Sequence, residues 1–154
     1  GRAGAGGRGS QGRTRRLIVV DASVLANALA DDSDDGERAR ARLLAEDRLV
    51  APELIDVEVA SVFRRRWLAG DLDDERLAEA IDDLAIVGLQ RMPMRHLINR
   101  VIDLRRNVTP YDAVYVALAE MLGCPLLTGD HRLALAPGPR CEIEALTSRR
   151  RPGR

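Results

Sequence analysis

Two short apolar runs in this chain end in a carboxylate. Leu17-Ile18-Val19-Val20 runs into Asp21, and Leu126-Leu127-Thr128-Gly129 runs into Asp130. In an open parallel sheet, ligands bind beyond the carboxyl ends of the strands, so both aspartates fall on the edge that does chemistry. Asp112 lies in the first turn of a segment opened by Thr109-Pro110, an N-cap followed by the favoured first-turn proline. Helices of such a sheet begin on that same edge. Glu58 is of another kind: it sits mid-helix between Val57 and Val59, with Leu54 and Val62 one turn away on either side. A charge there is costly unless it is paired or bound to metal. Taken singly, each acid has an ordinary structural role. Asp21 and Asp130 could cap the helices after them, Asp112 could complement a helix dipole, and Glu58 could pair with Arg65 or another arginine. Taken together, the four would repel one another without a cation. If they converge, the donor set is all oxygen, which favours Mg²⁺ or Mn²⁺ over Zn²⁺. Such ions suit in-line hydrolysis of a phosphodiester.

Other chemistries lack their equipment. All 24 basic residues are Arg, so a P-loop lysine, a Schiff-base lysine and a Ser-Lys dyad are excluded. Neither His96 nor His131 lies in a recognisable catalytic setting. Cys124 and Cys141 are too few for a tetrahedral zinc site and read as small core hydrophobes in a reducing compartment. Phe63, Trp67, Tyr111 and Tyr115 are the whole aromatic set, too few for rows of stacked bases. No apolar run approaches the ~20 residues of a membrane span, and Asp21 and Asn27 interrupt the one run that imitates a secretory signal. The expected location is the cytoplasm.

The formal net charge of zero hides an asymmetry. Residues 1–16 carry five Arg and six Gly without an acid, and residues 147–154 carry four Arg without an acid. The body between them holds 15 Arg against 24 acids. We therefore expect a disordered basic extension over 1–16, one folded domain over 17–146 and a basic tail over 147–154.

The elements that must position the acids alternate along the body. Strands are expected at 17–20, 49–51, 89–92, 125–128 and, on the edge, 141–143. Between them, helical signals cover 23–30, 34–46 capped by Ser33, 53–69 stopped by Gly70, a segment capped by Asp73 and ending at Gly88, 94–106, 110–122 and a turn at 130–135. The 53–69 helix carries apolar residues around much of its circumference and reads as well buried. This rhythm specifies an α/β fold, a three-layer α/β/α sandwich around a mainly parallel sheet.

Four segments, in order, carry a resemblance. They are Val19-Val20-Asp21-Ala22-Ser23-Val24-Leu25; Ala51-Pro52-Glu53-Leu54 leading into Val57-Glu58-Val59-Ala60; Pro110-Tyr111-Asp112-Ala113-Val114-Tyr115-Val116-Ala117-Leu118-Ala119; and Leu126-Leu127-Thr128-Gly129-Asp130. Together they resemble the PIN domain, and more narrowly the VapC-type toxins of bacterial toxin–antitoxin pairs, over residues 17–146. The resemblance implies a PIN-like fold and a Mg²⁺- or Mn²⁺-dependent endoribonuclease. Asp21 and Asp112 would be its principal metal ligands, Glu58 and Asp130 would complete the site or position water, and Thr128 would support the last acid. It further implies RNA as substrate, a homodimer, and a cognate VapB-like antitoxin that silences the site.

Three rival readings stand beside this one. A haloacid-dehalogenase-type phosphatase needs a second Asp two residues after the first, where this chain has Ser23. A structure-specific DNase on the same scaffold normally adds DNA-gripping helices. A catalytically silent binding module would keep the fold and act through protein partners. Arg64-Arg65-Arg66 and Arg105-Arg106 invite an RNA-contact reading, against which stands a solvated helix end.

Overall fold

The structure is a computed structural model, and it describes residues 15–146. Residues 1–14 and 147–154, where most of the basic extension and the basic tail were expected, lie outside the described residues. Five strands form one sheet: β1 (Leu17–Val20), β2 (Arg48–Pro52), β3 (Leu89–Met92), β4 (Leu126–Thr128) and β5 (Ile143–Ala145). The spatial order is β3-β2-β1-β4-β5, and every pairing is parallel. Side chains alternate between the two faces of a strand, yet Ile18, Val19 and Val20 are all buried, so both faces of the sheet are covered.

Seven helices supply that cover: α1 (Ala22–Ala30), α2 (Asp34–Leu44), α3 (Ile55–Ala69), α4 (Asp74–Ile86), α5 (Ile98–Asp103), α6 (Pro110–Leu122) and α7 (His131–Leu135). Helix α1 packs on α2, α3 and α4, while α5 packs on α6, which lies against β1 and β2. The caps expected from sequence form. The Ser33, Asp73 and Thr109 side chains accept bonds from the amides of Asp35, Arg76 and Asp112, and Gly70 and Gly123 end α3 and α6 in the left-handed conformation. Bidentate ion pairs clamp the layers at Arg42–Glu144, Arg91–Asp56 and Arg100–Glu120, all with bonds of 2.7–3.0 Å.

Several expectations are corrected. Pro52 does not close β2 but lies within it, paired in register with Met92. Helix α3 begins at Ile55 rather than 53, because Glu53 donates its amide to the Met92 carbonyl (2.9 Å) and so stays with the sheet. Residues 94–106 do not make one helix. They form a single 3-10 turn (Arg95–Leu97), the short α5 and a run of turns, with no side-chain cap to unify them. The edge strand is 143–145, since the β4 register sets Leu126 against Ile143. Helix α3 is not buried all round: Ile55, Val59 and Phe63 form one buried stripe, whereas Val57 is 68% exposed. Cys124 and Cys141 are free and only partly buried, packed at the margin of the core. Arg16, assigned to the extension, is tied to the start of β2, donating its amide to Asp47 Oδ2 at 2.8 Å.

The consequence for function lies in the strand order. From β1 the chain moves outward to β2 on one side, and later places β4 on the other. The reversal opens a crevice at the carboxyl ends of β1 and β4, the place where open α/β sheets take ligands.

Candidate active site

Asp21 leaves β1 at that crevice and donates its amide to the Leu127 carbonyl at 2.9 Å. Its side chain is only 7% exposed and caps no turn of α1. It accepts instead from Thr128 Oγ1 at 2.7 Å and from Ser23 Oγ at 3.2 Å. Each hydroxyl then acts as a relay. Thr128 Oγ1 accepts from the Asp130 amide and Ser23 Oγ from the Gly129 amide, both at 3.0 Å. Two hydroxyls thus hold the loop after β4 in place over Asp21. Gly129 lets the loop come this close, since a Cβ at that position would stand 3.0 Å from Ser23 Oγ and press on it.

The other acids arrive from separate elements. The Thr109 side chain caps α6, and so sets Asp112 at the helix mouth. Asp130 does cap α7, its Oδ1 accepting from the Arg132 amide at 2.8 Å, so its structural role coexists with its place in the crevice. Glu58, one turn into α3, is not paired with Arg65. Its Oε1 accepts from the Tyr115 hydroxyl at 2.8 Å, a bond that ties α3 to α6. Asp21, Glu58, Asp112 and Asp130 all line one cleft of about 750 Å³, while Thr128 lies fully buried beneath it.

The electrostatics record the crowding. Burial pushes the Asp21 carboxyl above its ordinary range against the hydrogen bonds that favour its charge, and Asp130 adds repulsion. Burial raises Asp112 as well, and Asp21 and Asp130 add to it. Glu58 is raised by burial and by the charges of Asp21 and Asp112, with the Tyr115 bond opposing. The Tyr115 hydroxyl is itself pushed far up, first by burial and then by Glu58, so it stays a proton donor.

An oxygen-only donor set of mutually repelling, partly desolvated carboxylates matches what Mg²⁺ or Mn²⁺ takes, and a bound divalent ion would relieve each of these shifts. The fit is that of an open site. Among the described residues, no group of three or more His, Cys, Asp or Glu side chains is already drawn together as a cage. Mg²⁺ usually binds through one or two carboxylates and retains water, so a closed cage is not its requirement.

Sequence reasoning reached the four acids and Thr128 but missed Ser23, Tyr115 and Gly129. Their signal was faint: a hydroxyl two residues after Asp21, a tyrosine one turn after Asp112, and a glycine before Asp130. None acquires meaning until β1, α3, α6 and β4 are assembled.

Comparison with known proteins identifies the family and the fold. The family model described as the PIN domain matches residues 18–138. The chain is 45% identical over 127 residues to ribonuclease VapC1 of Mycobacterium tuberculosis, covering 82% of this chain and 95% of that protein. It is 41% identical over 130 residues to ribonuclease VapC9 of the same organism, covering 82% and 96%. Among solved structures, FitAcB from Neisseria gonorrhoeae superposes with a TM-score of 0.62 at 14% identity, covering 84% of this chain and 97% of that one. VapBC2 from Rickettsia felis, bound to a DNA fragment from their promoter, superposes with a TM-score of 0.60 at 10% identity, covering 84% and 98%. The two structures speak for the fold alone, whereas the family model spans nearly the whole described body, with Asp21, Glu58, Asp112 and Asp130 inside its bounds, and the sequence relatives cover 82% of the chain. The chain belongs to the PIN domain family.

Proposed function

We propose that this protein is a divalent-metal-dependent endoribonuclease of the VapC type, hydrolysing RNA through Asp21, Glu58, Asp112 and Asp130. The observation that carries the reading is the convergence of these four acids, from four separate elements, on one cleft at the carboxyl edge of the sheet. The relatives named ribonuclease VapC support the substrate class.

Asp21 and Asp112 are the principal holders of Mg²⁺ or Mn²⁺, with Glu58 and Asp130 completing the site. A divalent ion held there supplies Lewis-acid stabilisation of the charge that develops on the phosphoryl group. The protein's own groups do the rest. Thr128 and Ser23 fix the Asp21 carboxylate, so it needs no reorganisation when substrate arrives. Tyr115 occupies Oε1 of Glu58 and leaves Oε2 to the cleft, where it orients the attacking water and takes its proton. The raised affinity of Glu58 for protons suits that task.

In the cell, the toxin works in the cytoplasm as a homodimer, and a VapB-like antitoxin covers the cleft until it is lost. The rival reading is a silent PIN-fold module acting through protein partners, favoured by the open spacing of the acids. Incubation of labelled cellular RNA with the protein in Mg²⁺, Mn²⁺ or EDTA separates the two. The proposal expects cutting with either metal, none in EDTA, and none by Asp21→Ala. A folded wild-type protein that leaves RNA intact in both metals leaves only the silent module.

A further inference from the structure

The cleft holds more than its acids. Arg65 lines it too, seven residues and two helical turns beyond Glu58 on α3, or about 10 Å along the axis. Several other arginines are committed: Arg42, Arg76, Arg91 and Arg100 pair with acids, and Arg66 donates to Asn27. Arg65 enters no side-chain hydrogen bond or ion pair among the described residues, although four carboxylates share its cleft. From the α6 side comes Tyr111. Phe63 and Tyr115 are buried, whereas the Tyr111 ring is 62% exposed and lines the cleft next to Asp112. The ring stands on a rigid base, the first turn of α6, fixed by the Thr109 cap and Pro110. Val57, also exposed, lines the same cleft with an apolar surface.

A cation without a protein partner and an exposed aromatic ring beside the proposed phosphoryl-transfer site match the phosphate and the base of a nucleotide. We propose that Arg65 and Tyr111 form a clamp for one unpaired nucleotide beside the scissile bond, Arg65 holding a backbone phosphate and Tyr111 stacking on a base. This rests on RNA as the substrate and narrows it to single-stranded segments, because a ring can stack only on a base free of its duplex. Arg65 also gives the acidic cleft its local attraction for the polyanion.

The test is fluorescence anisotropy with a labelled single-stranded RNA 12-mer of mixed sequence, and the same RNA annealed to its complement, in Mg²⁺. It uses Asp112→Asn protein, to prevent cutting, with and without each clamp substitution. Tyr111→Ser is expected to weaken single-strand binding roughly tenfold or more, the usual effect of losing a stacked ring. Tyr111→Phe keeps the affinity. Arg65→Gln lowers the slope of log affinity against log salt by about 0.7, the signature of one lost phosphate contact on a single strand. Tyr111→Ser leaves that slope unchanged, and the duplex binds poorly throughout. The same clamp substitutions in the otherwise wild-type chain are scored for cleavage of the 12-mer. Binding by Tyr111→Ser at wild-type strength, or an unchanged salt slope in Arg65→Gln, overturns the clamp. Both positions are exposed, and circular dichroism of each variant against its parent checks that the fold is kept. Should a serine variant unfold, Tyr111→Leu replaces it under the same criteria. Normal cleavage with unaffected variants refutes the clamp but not the nuclease. Clamp-dependent binding by a wild-type protein that never cuts refutes the nuclease but not the clamp.

Discussion

On the proposed mechanism, Asp112 serves the reaction at a cost to stability. Its carboxyl is raised by burial and by repulsion from Asp21 and Asp130, so the native state holds its proton more tightly than the unfolded chain does. Between the ordinary carboxylate value and the raised one, stability therefore falls as pH rises, and above the raised value the whole penalty is present. Asp112→Asn removes that penalty. In EDTA at neutral pH, this variant is expected to melt a few degrees above wild type, with the gap closing as pH is lowered towards about 4. Its cleavage activity is expected to fall by orders of magnitude. Scanning calorimetry across pH reads the first outcome, and a lower melting temperature for Asp112→Asn would show that the carboxylates do not strain the fold. Thr128 works in the opposite direction. Its hydroxyl serves both Asp21 and the Asp130 amide, so Thr128→Val leaves a buried carboxylate oxygen and an amide without that partner. A loss of about 1–3 kcal/mol in urea unfolding is expected, together with a loss of activity. Glu144 and Glu120 behave in the usual sense. Their carboxyls are held low by Arg42 and, against burial, by Arg100, so their stabilisation exists above the ordinary glutamate value and is lost as pH falls through the lowered one.

The elements place these groups through contacts that are unforgiving in a few spots. Gly36, in the first turn of α2, is one of them. A Cβ there would lie 1.6 Å from the Asp31 carbonyl oxygen, a backbone atom with nowhere to move. Gly36→Ala is expected to cost at least the ~1–3 kcal/mol of an overpacked core, read as a lower urea midpoint. An unchanged midpoint would mean that the α1–α2 joint is more yielding than its geometry. The Glu58–Tyr115 bond is the corresponding link between α3 and α6. Tyr115→Phe is expected to preserve the fold and to lower activity about 10- to 100-fold, as loss of an orienting partner does. Normal turnover in that variant would show that Glu58 needs no such partner. The legibility of these elements in the sequence followed the strength of their local signals. A buried β-branched run revealed β1, a short apolar run revealed β2, and Thr109-Pro110 revealed the start of α6, because each reports its own environment. The break-up of 94–106 was not legible, since its apolar spacing continues where its backbone does not. Nor was the exposure of Val57, because an apolar residue that lines a cleft has the same sequence signature as one in the core. Asp21 and Asp130 were found from their position after strands, Asp112 from a helix first turn and Glu58 from its apolar neighbours. The bonds that Tyr115 and Thr128 make to acids 57 and 107 residues away were invisible before folding.

Over the whole molecule the same arrangement sets the charge balance. Residues 17–146 hold 15 Arg against 24 acids, and of these arginines Arg42, Arg91 and Arg100 are locked in ion pairs between elements. On the proposed function, an RNA strand approaching the cleft meets a negative field, which a bound divalent cation weakens and which the loss of a carboxylate charge weakens as well. Metal is therefore expected to stabilise the wild-type fold by mass action, by about 2.7 kcal/mol at a hundredfold excess over its dissociation constant. For a domain of this size that corresponds to a rise of about 5–10 °C. The rise should vanish in Asp21→Asn and in Asp112→Asn, and differential scanning fluorimetry with Mn²⁺ reads it.

The central claim is that four distant acids together make a metal-dependent phosphodiester hydrolase. Its most direct test is the chemistry of the cut ends, obtained by mass spectrometry of a single-stranded RNA digested in Mg²⁺ by wild type and by Asp21→Ala. Wild type alone is expected to cut, leaving linear phosphate ends, because water is the nucleophile. Cleavage that persists in EDTA, or ends bearing a 2′,3′-cyclic phosphate, would contradict it.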